Sequence, residues 1–296
     1  NDNYQVDSKK SLWMQSKVLA KLLSTLSLNL EAGESAQLCL RLNPNDVESL
    51  IIRSQSQRYC GNIQQAVETS QVAVLLEPGS TRNRRVLIEC LETGNEWKQA
   101  LRERLSLQEK RFAQHGELEW PTMEDLRQLA SCALKAEQTE LSIQICQNLL
   151  RSSPSDGITH AILGEALLAQ GKSEEALQHF QFSTQLSPHQ PQPWLALASA
   201  WSSSGNTQKA IETLRAASHA VPDNPEIHLA LAEIYYRNNS FTNALIAFRR
   251  AYELVNLNVE EEASHKSPEH VHVVNELLPQ IALRLGQSLH KLGHIQ

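Results

Sequence analysis

Residues 157–190 read GITHAILGEALLAQGKSEEALQHFQFSTQLSPHQ, residues 191–224 read PQPWLALASAWSSSGNTQKAIETLRAASHAVPDN, and residues 225–258 read PEIHLALAEIYYRNNSFTNALIAFRRAYELVNLN. The three 34-residue blocks align without a gap. Numbering each block from 1, position 7 is Leu163, Leu197 and Leu231, and position 11 is Leu167, Trp201 and Tyr235. Position 20 is Ala176, Ala210 and Ala244, and position 24 is Phe180, Leu214 and Phe248. Self-similarity at this period is the mark of a stacked repeat.

The period continues outward. Blocks open at Trp13, Val47 and Thr81, and another opens at Met123 after eight extra residues. Across all seven, position 20 reads Ala32, Ala66, Ala100, Ser142, Ala176, Ala210 and Ala244, and position 32 is Pro44, Pro78, Pro154, Pro188 and Pro222 in five. The domain plan is therefore residues 1–114 with repeats starting at 13, 47 and 81; a linker at 115–122; residues 123–258 with repeats starting at 123, 157, 191 and 225; an insert at 259–278; and an opening eighth repeat at 279–296. The chain stops inside that eighth repeat, so its length reads as an excerpt.

Positions 4, 7, 8 and 11 recur at three- and four-residue steps and share one face of a first helix, and positions 20, 24 and 27 do the same on a second. Gly61, Gly171 and Gly205 at position 15 suit a left-handed residue after the first helix, and Pro at position 32 cannot continue the second. Small residues at 8, 20 and 27 admit close helix approach, while larger ones fill the space between blocks. No block buries that face alone, so the expected fold is an all-α solenoid of stacked helix-turn-helix repeats.

The pattern resembles the tetratricopeptide repeat (TPR), W-x2-L-G-x2-Y, then A-x3-F, then P. It appears as Trp194-x2-Leu197-Ala198-x2-Trp201 with Ala210-x3-Leu214 and Pro222, and as His160-x2-Leu163-Gly164-x2-Leu167 with Ala176-x3-Phe180 and Pro188. Arg53 at position 7, Ile88 at position 8 and Arg104 at position 24 depart from it and put the regular packing of 47–114 in question. The resemblance implies a right-handed superhelix whose concave wall is lined by positions 2, 5, 9, 12 and 13 of the first helices. On that wall it places Arg82, Arg85 and Arg127, then Glu165, Leu195, Ser199, Glu233 and Tyr236.

The implied function is a protein-interaction scaffold holding a partner segment along that wall, the arginines facing acidic groups and Leu195 and Tyr236 giving apolar contact. Members that clamp acidic chaperone tails carry Lys and Asn at positions 5 and 9; Ala161, Leu195 and Leu229, then Glu165, Ser199 and Glu233, stand there instead, which disfavours that role. The alternatives are the non-catalytic arm of a larger enzyme, such as a glycosyltransferase or sulfotransferase, and self-association through an open end of the stack.

Two interruptions carry their own expectations. In the first, Thr122 and Asp125 form a capping-box pattern for the next helix, and Trp120 is expected to cover exposed stack. In the second, Glu260-Glu261-Glu262 reads as a solvated loop, Ser267-Pro268 as a helix start and Val271 to Leu278 as the body of an extra helix.

Composition narrows the function classes. Gly is 11 of 296 residues, about half the usual share, which favours long helices over turn-rich sheets. No run suits a transmembrane span or a signal peptide, so a soluble, cytoplasmic chain with no membrane association is expected. The net charge of −6 argues against nucleic-acid binding. The basic cluster Thr81-Arg82-Asn83-Arg84-Arg85 reads as a solvated first helical turn. Cys39, Cys60, Cys90, Cys132 and Cys146 form no CxxC pair and read as small buried residues in a reducing compartment.

His290 and His294 share a helix face, and His265, His270 and His272 lie close in sequence, but no HExxH or carboxylate ligand accompanies them, so no metal or other cofactor is expected. His160 and His228 occupy position 4, where packing explains them. With no phosphate loop, nucleophile elbow or dinucleotide fingerprint, no enzymatic activity is expected.

Overall fold

The computed structural model describes residues 2–115, 121–262, 279, 282–284, 286–291 and 293, and these are helices joined by short turns. In order they are α1 (Asp2–Thr25), α2 (Asn29–Leu42), α3 (Val47–Tyr59), α4 (Ile63–Leu76), α5 (Thr81–Thr93), α6 (Trp97–His115), α7 (Met123–Lys135), α8 (Thr139–Ser152), α9 (Gly157–Ala169), α10 (Ser173–Leu186), α11 (Pro191–Ser203), α12 (Thr207–Ala220), α13 (Pro225–Arg237) and α14 (Phe241–Glu262). From α3 onward each first helix begins at the first residue of a block; α1 begins before Trp13. The chain divides into two compact units, Asn1–Glu137 and Gln138–Gln296.

Position 15 turns the chain in every block. Ser27, Gly61, Asn95, Glu137, Gly171, Gly205, Asn239 and Gly293 all have φ between 58° and 81°. The residue after it closes a six-to-one bond back to position 11, as in Lys172 N to Leu167 O (2.9 Å) and Asn206 N to Trp201 O (2.9 Å). This is the left-handed helix terminator that glycine adopts at no cost and Asn at little. Ser27 and Glu137 hold it despite their side chains.

The second helices show what position 32 does. Those followed by Pro there, α2, α4, α8, α10 and α12, are each 14 residues long. In α6 and α14 the position holds Phe112 and Asn256, no breaker stops the helix, and the lengths become 19 and 22 residues. The acidic stretch Glu260-Glu261-Glu262, expected as a loop, is therefore the end of α14. Trp120, Ser267-Pro268, the Val271 to Leu278 run, His265, His270, His272 and His294 lie outside the described residues.

In each unit the small positions are sealed. Position 20 is no more than 1% exposed in all seven blocks, including Ser142. In unit 1, Ile51, Val86, Leu87, Ile88, Leu91 and Leu101 are buried. The described side chains of residues 47–109 thus form a core, with Ile88 filling the place of the small residue at position 8. In unit 2 one cluster joins Ala198, Leu214, Ala217, Ile227, Leu231, Tyr235 and Phe248. Burying side chains of this size contributes about 1.5–3 kcal/mol each. Among the described residues no helix is long and apolar enough to cross a membrane.

The basic cluster is a correction. Asn83 and Arg84 are 3% and 6% exposed, so the first turn of α5 is solvated only in part. Asn83 Nδ2 donates to Ala73 O (3.3 Å) and to Glu77 (3.1 Å). Arg84 pairs with Glu103 and donates to the carbonyl of Pro78 (3.3 Å). The reason is positional: residues 3 and 4 of this block face the preceding turn, and a cation buried there needs the carboxylate and carbonyl partners that Arg84 finds.

Candidate functional site

A groove of about 460 Å³ lies within unit 1 between the first helices α5 and α7. From α5 come Arg85, Ile88, Glu89 and Glu92; from α7 come Asp125, Gln128, Ser131, Cys132 and Lys135; α6 supplies Trp97, Arg104 and Leu107. On α5 these are positions 5, 8, 9 and 12, so the 3.6-residue period delivers the wall positions to one cleft. Thr122 and Asp125 start α7 with the capping box, Asp125 N donating to Thr122 Oγ1 (3.1 Å) and Thr122 N to Asp125 Oδ2 (3.1 Å).

Arg104 organises the interior of the groove. It occupies position 24, where Phe180, Leu214 and Phe248 are fully buried, and it cannot be left unpaired there. Its Nε donates to Glu92 Oε1 (2.7 Å) and its Nη1 to Gln128 Oε1 (3.2 Å), tying α5, α6 and α7 together. Nearby, Glu89 pairs with Arg58 (3.2 Å) and Glu124 with Arg127 (3.0 Å). Lys135 Nζ sits 4.3 Å from the centre of the Trp97 ring. Burial, then the Glu92 carboxylate, pushes the Cys132 thiol up to about 11, which favours the protonated thiol. Arg82 and Arg85 are exposed and engage no other described residue.

The expected site residues are not one cluster. Arg85 lines the groove, whereas Arg127 is committed to Glu124, and Arg82 lies one turn before Arg85 on α5. In unit 2, Glu165 and Ser199 are exposed on α9 and α11, and Leu195 is half-buried against the core of that unit. Glu233 and Tyr236 share a small cleft of about 140 Å³ with Arg284, which lies 5.7 Å from the Tyr236 ring. Trp97 and Gln128 lie at positions 17 and 6, off the wall positions that the resemblance implies, and Lys135 lies at wall position 13 but was not among the expected site residues. The signal was Arg104, visible as a departure from the repeat. His290 is exposed, and among the described residues no group of His, Cys, Asp and Glu could hold a metal.

Two family profiles, both described as tetratricopeptide repeat, match this chain, one over residues 167–234 and 203–251 and the other over 127–191. No curated protein matches its sequence. Among solved structures it is similar to a tetratricopeptide repeat protein from Parabacteroides merdae, at 14% identity and a TM-score of 0.65, covering 92% of this chain and 99% of that one. It is similar to yeast Tom70 at 14% identity and a TM-score of 0.54, covering 93% of this chain and 60% of that one. It is also similar to PilW, a type IV pilus biogenesis factor, at 17% identity and a TM-score of 0.54, covering 74% and 98%. At these identities the likeness is one of fold.

Proposed function

We propose that this chain, which belongs to the tetratricopeptide-repeat family, holds a segment of a partner protein in the groove between α5 and α7. Proteins of this family generally mediate protein–protein interactions. The observation that supports this site is the groove itself: about 460 Å³, with a half-buried Trp97, apolar Ile88 and Leu107, and charged groups along both walls. An apolar floor with a few placed polar groups is what a bound side chain requires. The remaining wall residues, Glu165, Leu195, Ser199, Glu233 and Tyr236, offer a partner surface of their own within unit 2, and no catalytic role is assigned to any of them. We place the protein in the cytoplasm, where free thiols such as its five persist.

The test is to fill the groove. Gln128→Trp adds bulk at an exposed lining position, and Leu75→Trp adds it at a residue 77% exposed on α4. With melting temperature and helicity unchanged in both, Gln128→Trp should abolish capture of the partner and Leu75→Trp should not; equal capture by both rejects the site.

A second reading, self-association, is favoured by one observation. Leu12, Leu19 and Leu22 of α1 are 50–55% exposed and recur along one helix face, and Leu26, in the turn that follows, is 68% exposed. Light scattering across a hundredfold concentration range should show a rising mass if that face pairs with a second copy, and a constant monomer mass removes the reading.

A further inference from the structure

The groove is formally balanced in its lining, with Arg85, Arg104 and Lys135 against Glu89, Glu92 and Asp125. Its internal pairing is not balanced. Glu92 is held by Arg104, Glu89 by Arg58 from α3, and Asp125 accepts from the backbone N–H and the hydroxyl of Thr122 (2.9 Å). Every carboxylate of the lining therefore already has its donors. Among the cations, Arg104 is spent on Glu92 and Lys135 is shared with the face of Trp97, while Arg85, and Arg82 three residues before it, engage no other described residue. Residues 82 and 85 lie on one helix face, so the free guanidinium groups form a short stripe leading into the cleft.

Resting on the groove reading above, we infer that the partner segment is acidic, and that carboxylates flanking an apolar side chain are recognised by Arg82, Arg85 and Lys135. A basic segment would meet these cations and could pair only with carboxylates that already have an internal partner, and like-charge juxtaposition at an interface is strongly selected against. A carboxylate gains the bidentate geometry that a planar guanidinium provides. The recognition set differs from a tail clamp: it uses position 5 and position 2 of the third repeat and position 13 of the fourth, with a tryptophan from a second helix beside them.

The experiment is selection from a displayed library of random ten-residue peptides against the whole chain, repeated with Arg82→Glu/Arg85→Glu and with Gln128→Trp, all checked for unchanged melting. The expected result is a pool enriched in Asp and Glu, whose best member loses at least tenfold in affinity on charge reversal, weakens with added salt and does not bind Gln128→Trp. Peptides without acidic excess, or acidic peptides indifferent to the charge reversal, overturn the inference. If such peptides are still blocked by Gln128→Trp, the groove reading survives it; if they bind Gln128→Trp normally, or if nothing is enriched, the groove reading falls as well.

Discussion

The Nδ1 atoms of His160 and His179 lie 2.9 Å apart, with the rings stacked at 5.2 Å between centroids. Nε2 of His160 faces the carbonyl of Pro154 at 3.1 Å, and a carbonyl only accepts. With both rings neutral, Nε2 carries the proton, His160 Nδ1 accepts, and His179 Nδ1 donates. The two residues stand at positions 4 and 23 of their block. In the block at Thr81 those positions hold Arg84 and Glu103, which form an ion pair, and Arg84 likewise reaches the preceding proline carbonyl. One architectural contact is thus met by two unrelated chemistries.

The histidine pair makes unfolding sensitive to acid. Burial first, then the neighbouring His160, holds His179 below the ordinary 6.5, against the opposing pull of Glu175. The unfolded chain takes up a proton near pH 6.5 while the folded chain does not until lower pH, so stability is complete above that value and is lost as pH falls. His179→Gln should flatten the decline of unfolding free energy from pH about 7.5 to about 5.5, measured by urea titration. An unchanged acid slope would count against the pair.

Position 4 also joins consecutive blocks. Trp194 Nε1 donates to Pro188 O at 2.9 Å, and His228 Nε2 to Pro222 O at 3.0 Å, repeating the His160 and Arg84 contacts six residues back. Trp194→Phe keeps a ring and removes the donor, and should cost about 1–2 kcal/mol in urea unfolding, the loss of one bond and some packing. No measurable change would mean that the carbonyl is satisfied by water.

Gly164 at position 8 is set by contact. A Cβ there would lie 2.7 Å from the Phe180 ring, which is fully buried. Gly164→Ala should destabilise by about 1–3 kcal/mol, and Phe180→Leu in the same chain should recover part of that loss. Additive losses in the double variant would disprove the contact.

The thiols should sort by burial. Cys60 is exposed; Cys39, Cys90, Cys132 and Cys146 are buried, and burial pushes Cys146 up to about 12. A chromogenic disulfide reagent should titrate one thiol per native chain rapidly and the other four only on unfolding. Rapid reaction of two or more would contradict the burial of at least one of Cys39, Cys90, Cys132 and Cys146.

The repeat register carried most of this fold because its cause is local. Position 20 excludes anything larger than Ala or Ser, and position 32 stops helices, so each can be read within one block. Position 15 was legible only where it was Gly; Ser27, Asn95, Glu137 and Asn239 adopt the same backbone because the flanking helices impose it. The basic cluster at 81–85 misled because charge alone does not say which residues of a turn face the preceding block. The groove was half legible: Arg85 and the departure at Arg104 were visible, but Trp97, Gln128 and Lys135 join them only when α5, α6 and α7 are packed.

In the proposed complex a partner segment lies between α5 and α7. Photo-crosslinking with benzoylphenylalanine at Glu89, on the groove wall, and at Leu75, exposed on α4, tests it most directly. The expected result is one discrete partner band from position 89, mapped by mass spectrometry to an acidic segment and lost with Arg82→Glu/Arg85→Glu, and none from position 75. Equal crosslinking from both positions, or a band only from position 75, would contradict it.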